Sequence, residues 1–397
     1  MGPPPIEGGW VRIDRGRIVA VGRGRPTGRV VDLGDAIILP GLVNAHTHLE
    51  FSDLTRPLPL DGGLVAWIDR VVSLRRSRAT GDREEARRAA AVAAGLRESA
   101  AAGVTAVGEI ATAPLPRHVA AGPRLRTFHE TLGLSGAAMA VAGTTLHRGI
   151  DLLGGAAGGV SPHAPYSVGA ALGRLAIAVA VRRRLPVAMH IAETREEAEL
   201  VATGGGSFRG LLDRLGAWPA HGPPPRLLPA ADWISLLARA WRGVVVHGTF
   251  LPEDAAGLAR LTRHRRRLCV VVCPRTTRAV AGVLPPVAVF REAGVRVAIG
   301  TDSRASNPDL SILAECRELV AGGGVGPAEA ISMATRDAAW AVGFEHRCGR
   351  LACGRPADVA VLRPAISGGD PFAAALDPGT RVVATLRAGR LIAGRLS

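Results

Sequence analysis

The 397-residue chain contains no lysine; all 49 of its basic residues are arginine. Against 34 acidic residues they leave a formal charge of +15, which alone would suggest a nucleic-acid partner. The arginines, however, are spread through helix-patterned stretches such as 83–97, without a compact stripe, and no nucleic-acid reading module is recognisable. Heavy use of Ala, Gly, Pro and Arg beside absent lysine reads as compositional bias, so part of the charge says nothing about partners. A basic mouth for an anionic substrate stays open. Cysteine is scarce as well. Five cysteines in a chain this long exclude a disulfide framework. Cys269 and Cys273 fall in an apolar segment, and Cys316, Cys348 and Cys353 lack zinc spacing. No apolar run reaches transmembrane length and no signal peptide is evident. These absences lead to the expectation of a cytoplasmic protein acting on a small molecule, with neither membrane nor nucleic acid as partner. No Gly-x-Gly-x-x-Gly follows a predicted strand either, which argues against a dinucleotide fold.

What is present is concentrated in one stretch, Gly41-Leu42-Val43-Asn44-Ala45-His46-Thr47-His48-Leu49-Glu50, directly after Pro40. Histidines at i and i+2 of an extended strand point to the same side, so both imidazoles can reach one metal ion. The chain around this stretch is ordinary globular material, 47% hydrophobic and 21% charged, and long enough for one large domain and a smaller one. Residues 37–344 alternate strand and helix. Strands are expected over 37–45, 104–110, 125–129, 159–163, 186–190, 244–247, 269–273 and 295–300. Helices are expected over 83–101, 168–183, 195–201, 234–241, 253–264, 309–320 and 327–340. Eight such strands predict an α/β chain of the (β/α)8 barrel class. Residues 1–36 and 345–397 are β-patterned with hairpin turns at Asp14-Arg15-Gly16 and Arg387-Ala388-Gly389. Together they predict one discontinuous β-sandwich built from both termini.

In such a barrel, residues at the C-terminal ends of strands face the active site. Read in order, those ends carry His46 and His48, then His163, then His190 with Glu193, then His247, and finally Asp302. Five of the eleven histidines fall there. Three nitrogens from His46, His48 and His190 and one oxygen from Asp302 suit a single divalent ion and leave room for water. Such an ion lowers the pKa of that water. Asp302 can also steer the water, Glu193 can carry its proton to the substrate, and His247 can polarise or hold the attacked centre. The bland alternatives are a solvated helix-end charge for Glu193 and a satisfied structural histidine for His247.

These residues resemble the amidohydrolase superfamily. The matching stretches are residues 40–48, Ser161-Pro162-His163-Ala164-Pro165-Tyr166-Ser167, Met189-His190-Ile191-Ala192-Glu193, Val245-Val246-His247-Gly248, and Gly300-Thr301-Asp302-Ser303 with Ala305-Ser306-Asn307. The resemblance covers essentially the whole chain. It is closest to the cytosine deaminase/chlorohydrolase branch, with its S-adenosylhomocysteine, adenosine, guanine and aminodeoxyfutalosine deaminases. It implies a distorted barrel with a two-terminus β-sandwich, and one ion, zinc first and iron or manganese also accommodated. It implies His46, His48, His190 and Asp302 as ligands, Glu193 as proton shuttle, His247 beside the attacking water, and His163 in contact with substrate. Two-metal barrels of this kind bridge their ions with a carboxylated lysine, which this chain cannot supply; Glu130 after strand three is the remaining candidate for a second ion. Members of the branch often form dimers, so a homodimer is also implied. Two departures stand out. Cys273-Pro274-Arg275-Thr276-Thr277 replaces the usual Pro-x-Ser-Asn turn after strand seven. The first sandwich strand is missing before residues 7–22, so the start is late or the sandwich small.

The implied chemistry is hydrolytic deamination of an aminated purine nucleoside-type ring, aminodeoxyfutalosine or adenosine-like. On this reading His163 and Tyr166 line the ring pocket, Glu50 accepts hydroxyl hydrogen bonds, and Arg275 and Arg304 meet an anionic substituent. The same groups could displace halide or amine from an s-triazine-type ring, or open a cyclic amide of the imidazolone type. A non-catalytic binding protein is the remote alternative. A nucleic-acid deaminase is set aside because its His/Cys/Cys zinc set is absent.

Overall fold

The computed structural model describes residues 4–78, 80–113, 122–153, 157–366 and 368–396. Residues 1–3, 367 and 397 of the expected terminal domain, and 79, 114–121 and 154–156 of the expected barrel, lie outside them. Gly9–Asp14 (β1) and Arg17–Arg23 (β2) pair antiparallel around Arg15 and Gly16, both of positive φ (45° and 78°). That geometry matches the strand twist of a tight hairpin. The closing hairpin repeats it at Ala388 and Gly389. The two turns abut so closely that a side chain on Gly16 would overlap the Ala388 carbonyl.

The stretch 37–45 is two strands, not one. Ile37–Pro40 (β3) leaves the barrel and pairs antiparallel with a strand near the C-terminus. Leu42–Thr47 (β4) is the first barrel strand. The break falls at Gly41, whose N–H bonds to Asp358 on one side while that of Leu42 bonds to Gly103 on the other. The remaining barrel strands are Val104–Ala111 (β5), Arg124–Thr131 (β6), Gly158–Pro162 (β7), Val187–Ile191 (β8), Gly243–His247 (β9), Leu268–Val272 (β10) and Arg296–Ile299 (β11). All eight lie in chain order in one parallel sheet. Val359–Arg363 (β12), Arg381–Arg387 (β13) and Arg390–Gly394 (β14) complete an antiparallel sheet with β3 in the order β14-β13-β12-β3. The fold is thus a distorted (β/α)8 barrel with a smaller antiparallel region drawn from both termini.

Period-two patterning places apolar side chains on both faces of the barrel sheet. Ala188, Val244, Val246, Val271 and Ala298 pack in one cluster, and Val187, Met189, Val245, Val270 and Val272 in another. The barrel closes where β4 meets β11. Backbone N–H groups of Thr301 and Asp302 donate to the His46 carbonyl, both at 3.1 Å. Asn44 donates to Thr301 Oγ1 at 2.7 Å and accepts from its N–H at 3.1 Å, while Thr47 Oγ1 donates to the Asp302 carbonyl at 2.7 Å. Gly300 permits this approach, since a Cβ there would come within 2.8–2.9 Å of His46. The closure therefore draws the histidine pair of the first strand against the aspartate of the last.

The expected helices form, with shifted ends. The one expected over 234–241 begins earlier, as Ala230–Leu237, and that over 327–340 is interrupted by a π-turn at Met333–Asp337. A helix outside the expected set, Gly63–Ser77, crosses the C-terminal end of the barrel. Its Trp67 donates to the Ala305 carbonyl after β11, and its Leu64 packs with Tyr166 and Phe208. Among the described residues no helix is long and apolar enough to cross a membrane, and all five cysteines are free.

Candidate active site

The strand ends bring His46, His48 and His190 together, each offering a ring nitrogen within 4.8 Å of the others. Asp302 Oδ1 stands 3.6 Å from Nε2 of both His46 and His48. Its Oδ2 accepts from Ser306 Oγ at 2.6 Å, which fixes the carboxylate's rotation. His190 Nδ1 lies 2.9 Å from the His163 carbonyl, which can only accept. The proton therefore sits on Nδ1, and the Nε2 lone pair is left for a ligand.

Burial lowers the pKa of every imidazole in the group, that of His46 to about 3 and those of His48, His190 and His247 well below the usual value. Neutral imidazoles with free lone pairs are what a divalent ion takes. His46 Nε2 is buried with no hydrogen-bond partner, an orphan that a cation resolves. The donor set fits one metal ion. A second grouping, Glu130, His163 and His190, also lies within 4.8 Å. It shares the single free nitrogen of His190, so the two groupings cannot both use that nitrogen at once.

Glu193 is 9% exposed, which rules out a solvated charge at a helix end. Its carboxyl lies 3.4 Å from His247 Nε2. Burial, then the nearby charges of Asp302 and Glu197, push its pKa well above the carboxylate range. The turn that aims it is held by Glu197, itself buried and pushed up to about 8, which accepts the Ala192 N–H at 2.7 Å. Ala192, His247 and Asp302 all have positive φ (54°, 67° and 57°). Left-handed backbone in non-glycine residues is costly, and here it lies at the ends of strands β8, β9 and β11, where the candidate site side chains emerge.

The other expected site residues have mixed placements. His163 lies beside the cluster, its ring 5.2 Å from that of His190 and its Nδ1 2.6 Å from Ser167 Oγ. Tyr166 meets it edge-on and stacks on Phe208 at 4.2 Å. Glu50 is buried but already paired, with Arg75 at 2.6 Å. Arg275 is bound by Glu315 and Asp309 at 2.7 and 2.6 Å, and Arg304 by Glu98 and the Leu54 carbonyl. Both guanidiniums are engaged within the protein, which favours a structural role over the expected contact with a substrate anion. Arg275→Ala would leave Glu315, 0% exposed, without its counter-ion. It is expected to lower stability by about 3–5 kcal/mol in urea unfolding; an unchanged midpoint with weakened substrate binding would restore the original expectation.

Two residues at this site were not read as substrate contacts in the sequence. Arg75 comes from the helix Gly63–Ser77, an arginine among arginines with nothing local to single it out. Its charge reaches His48, His163 and Glu130. Glu130 is the next-to-last residue of β6 and is buried, its pKa raised to about 7 by desolvation and only partly countered by Arg75.

The sequence profile of the amidohydrolase family matches residues 37–392. The chain belongs to the amidohydrolase family. This amidohydrolase is 32% identical over 379 residues to a 5-methylthioadenosine/S-adenosylhomocysteine deaminase of Halobacterium salinarum, covering 90% of this chain and 80% of the relative. It is 33% identical over 301 residues to an aminodeoxyfutalosine deaminase of Deinococcus radiodurans, covering 70% and 67%. Its fold superposes on the crystal structure of Helicobacter pylori aminofutalosine deaminase in complex with methylthio-coformycin, with a TM-score of 0.79 at 22% identity over 97% of this chain and 95% of that one.

Proposed function

We propose that this amidohydrolase hydrolyses a non-peptide carbon–nitrogen bond, deaminating a purine nucleoside-type ring of the adenosine or aminodeoxyfutalosine kind. The observation that carries the reading is the pairing of a buried carboxyl, Glu193, with His247 at 3.4 Å, beside the three neutral imidazoles and Asp302. The named relatives support it. On this reading His46, His48, His190 and Asp302 are the ligands of one divalent ion, zinc first, with iron or manganese also suited to these donors. When bound, the ion lowers the pKa of a water toward neutrality and so makes an oxygen nucleophile available.

The protein's own groups do the rest. Asp302 accepts a hydrogen bond from the water and orients it toward the ring carbon bearing the amine. Glu193 takes the water's proton and delivers it to the adjacent ring nitrogen as the C–O bond forms and the C=N pair moves onto that nitrogen. Burial beside Asp302 and Glu197 raises its pKa, the direction that favours a proton being held there between the two transfers. His247 holds the oxygen at the attacked carbon. A second proton transfer to the amine lets ammonia leave with the C–N electron pair, and the ring carbonyl forms. His163 and Tyr166 form one wall of the ring pocket.

The test is ammonia release by metal-analysed protein across adenosine, S-adenosylhomocysteine, aminodeoxyfutalosine, guanine and cytosine. Turnover of a purine nucleoside is expected. Silence across this panel, with release of halide from a chlorinated triazine or opening of a cyclic amide, would move the activity to another leaving group.

A further inference from the structure

Positive charge that the sequence spreads along the chain is gathered by the fold at a place away from the candidate active site. Arg296 opens β11 and Arg242 immediately precedes β9, so both stand at the N-terminal ends of strands whose opposite ends lead to Asp302 and His247. A cavity of about 500 Å³ lies at this end of the barrel. Four arginines line it, Arg296, Arg336, Arg350 and Arg355, together with Trp340 and the carboxylates of Asp337 and Glu345. The side chains of Arg296 and Arg336 are 32% and 40% exposed, so an anion from solvent can reach them.

The two carboxylates do not meet this charge. Glu345 gives both oxygens to the buried Arg242, at 2.9 and 2.7 Å. Asp337 is shared: Arg336 donates to it at 3.3 and 3.2 Å, Arg296 stands 3.5 Å away, and Ser332 Oγ donates at 3.1 Å. The Arg355 guanidinium donates to the Glu345 backbone carbonyl, a neutral acceptor. Arg350 is exposed, and its guanidinium has no partner among the described residues. Four guanidiniums thus face one carboxylate that is not already engaged elsewhere. Two arginines are also held in place, since those of Arg296 and Arg242 lie over the Trp340 ring, 4.2 and 4.0 Å from its centre. Stacking engages the face of a guanidinium and leaves its in-plane N–H donors for a ligand. It also occupies the indole, which is then not free to stack a nucleobase. A single carboxylate would balance one guanidinium and leave the others. A phosphate carries more charge and three acceptor oxygens, and its geometry matches the guanidinium fork.

We propose that this cavity binds a phosphate-bearing anion through Arg296, Arg336, Arg350 and Arg355, and that it prefers linked phosphates to a single one. The phosphate groups are what the site recognises, whether free or carried on a nucleotide. The site is separate from the hydrolytic one and independent of the reaction assigned there.

The experiment is calorimetric titration of the metal-loaded protein with inorganic phosphate, pyrophosphate, tripolyphosphate and UTP, at about 0.15 M salt. UTP is chosen because its base carries no amine to hydrolyse. The unaltered protein is compared with Arg336→Gln/Arg350→Gln and with Arg12→Gln/Arg83→Gln, which removes the same charge from exposed arginines elsewhere. Metal per chain is measured before and after titration. Binding is expected to tighten from phosphate to pyrophosphate, with UTP no tighter than tripolyphosphate. The cavity variant should bind at least about 10-fold more weakly and the control variant within about twofold, as loss of charge-assisted hydrogen bonds requires. If the cavity variant fails to fold, Arg350→Gln alone carries the test, because its guanidinium holds nothing within the fold; it should weaken binding by about threefold or more. No binding by the unaltered protein would overturn the inference. So would equal weakening in the control variant, which would mark diffuse charge, or unchanged binding in the cavity variant with metal displaced, which would mark the ion as the target. UTP binding more than about 10-fold tighter than tripolyphosphate, a gain of the size base stacking gives, would overturn recognition by the phosphates alone.

Discussion

Replacing Glu193 with glutamine is expected to lower kcat by about 10³- to 10⁴-fold while one metal ion per chain remains bound. Glutamine keeps the shape and one acceptor oxygen but cannot take a proton from water and pass it on. The carboxyl it replaces is buried and faces Asp302 and Glu197, an arrangement that disfavours its charged form. A neutral amide therefore imposes no new desolvation, and the variant should fold at least as well as the parent. Steady-state ammonia release, metal analysis and a thermal melt on one preparation check all three statements. Retention of more than about a tenth of kcat, far above what loss of a general acid–base group leaves, would show that another group moves the proton, and His247 at 3.4 Å would be the first to examine.

The second large effect belongs to His190. His190→Ala should bring the metal content from about one ion per chain to near zero and activity down by at least about 10⁴-fold, since unassisted water is scarcely ionised at neutral pH. The substitution removes the ring nitrogen that faces the cluster and also the Nδ1–H bond to the His163 carbonyl, which orients that nitrogen. Outer hydrogen bonds of this kind tune metal affinity, but the ligand itself decides occupancy. His48→Ala should behave alike, and restoring the ion at high concentration should recover part of the activity if the remaining donors still bind it. A His190→Ala protein that keeps a full ion and most of its turnover would mean that the ion sits elsewhere, for instance without the Asp302 side of the cluster.

Much of this site was legible because its chemistry sits at one kind of place. Strand ends in a parallel barrel converge whatever the details of packing. A histidine or acid at the end of one apolar run was therefore expected to meet those at the ends of the others, and His46, His48, His190, Glu193, His247 and Asp302 do meet. The barrel strands were readable for a related reason, since short, fully buried apolar runs such as Gly243–His247 and Leu268–Val272 admit few other interpretations. The split at Gly41 was not readable, because Ile37–Pro40 and Leu42–Thr47 are both apolar and extended. Only their partners, β12 and β5, separate them.

What the sequence by itself determined is which histidines and acids gather at the strand ends, because that follows from residue type and strand position alone. What only the tertiary structure decided is which charged groups remain available. Glu50, Arg275 and Arg304 had the right chemistry and loop positions for substrate contacts, yet each is bound by a partner distant in sequence, Arg75, Glu315 or Glu98. Glu130 and the Nε–H of Arg75 are buried and left without such a partner. An ionisable side chain's role depends on whether its counter-charge is met inside the fold or must come from a ligand. That pairing is set by three-dimensional proximity between residues 25, 40 and 206 positions apart, and no local pattern encodes it.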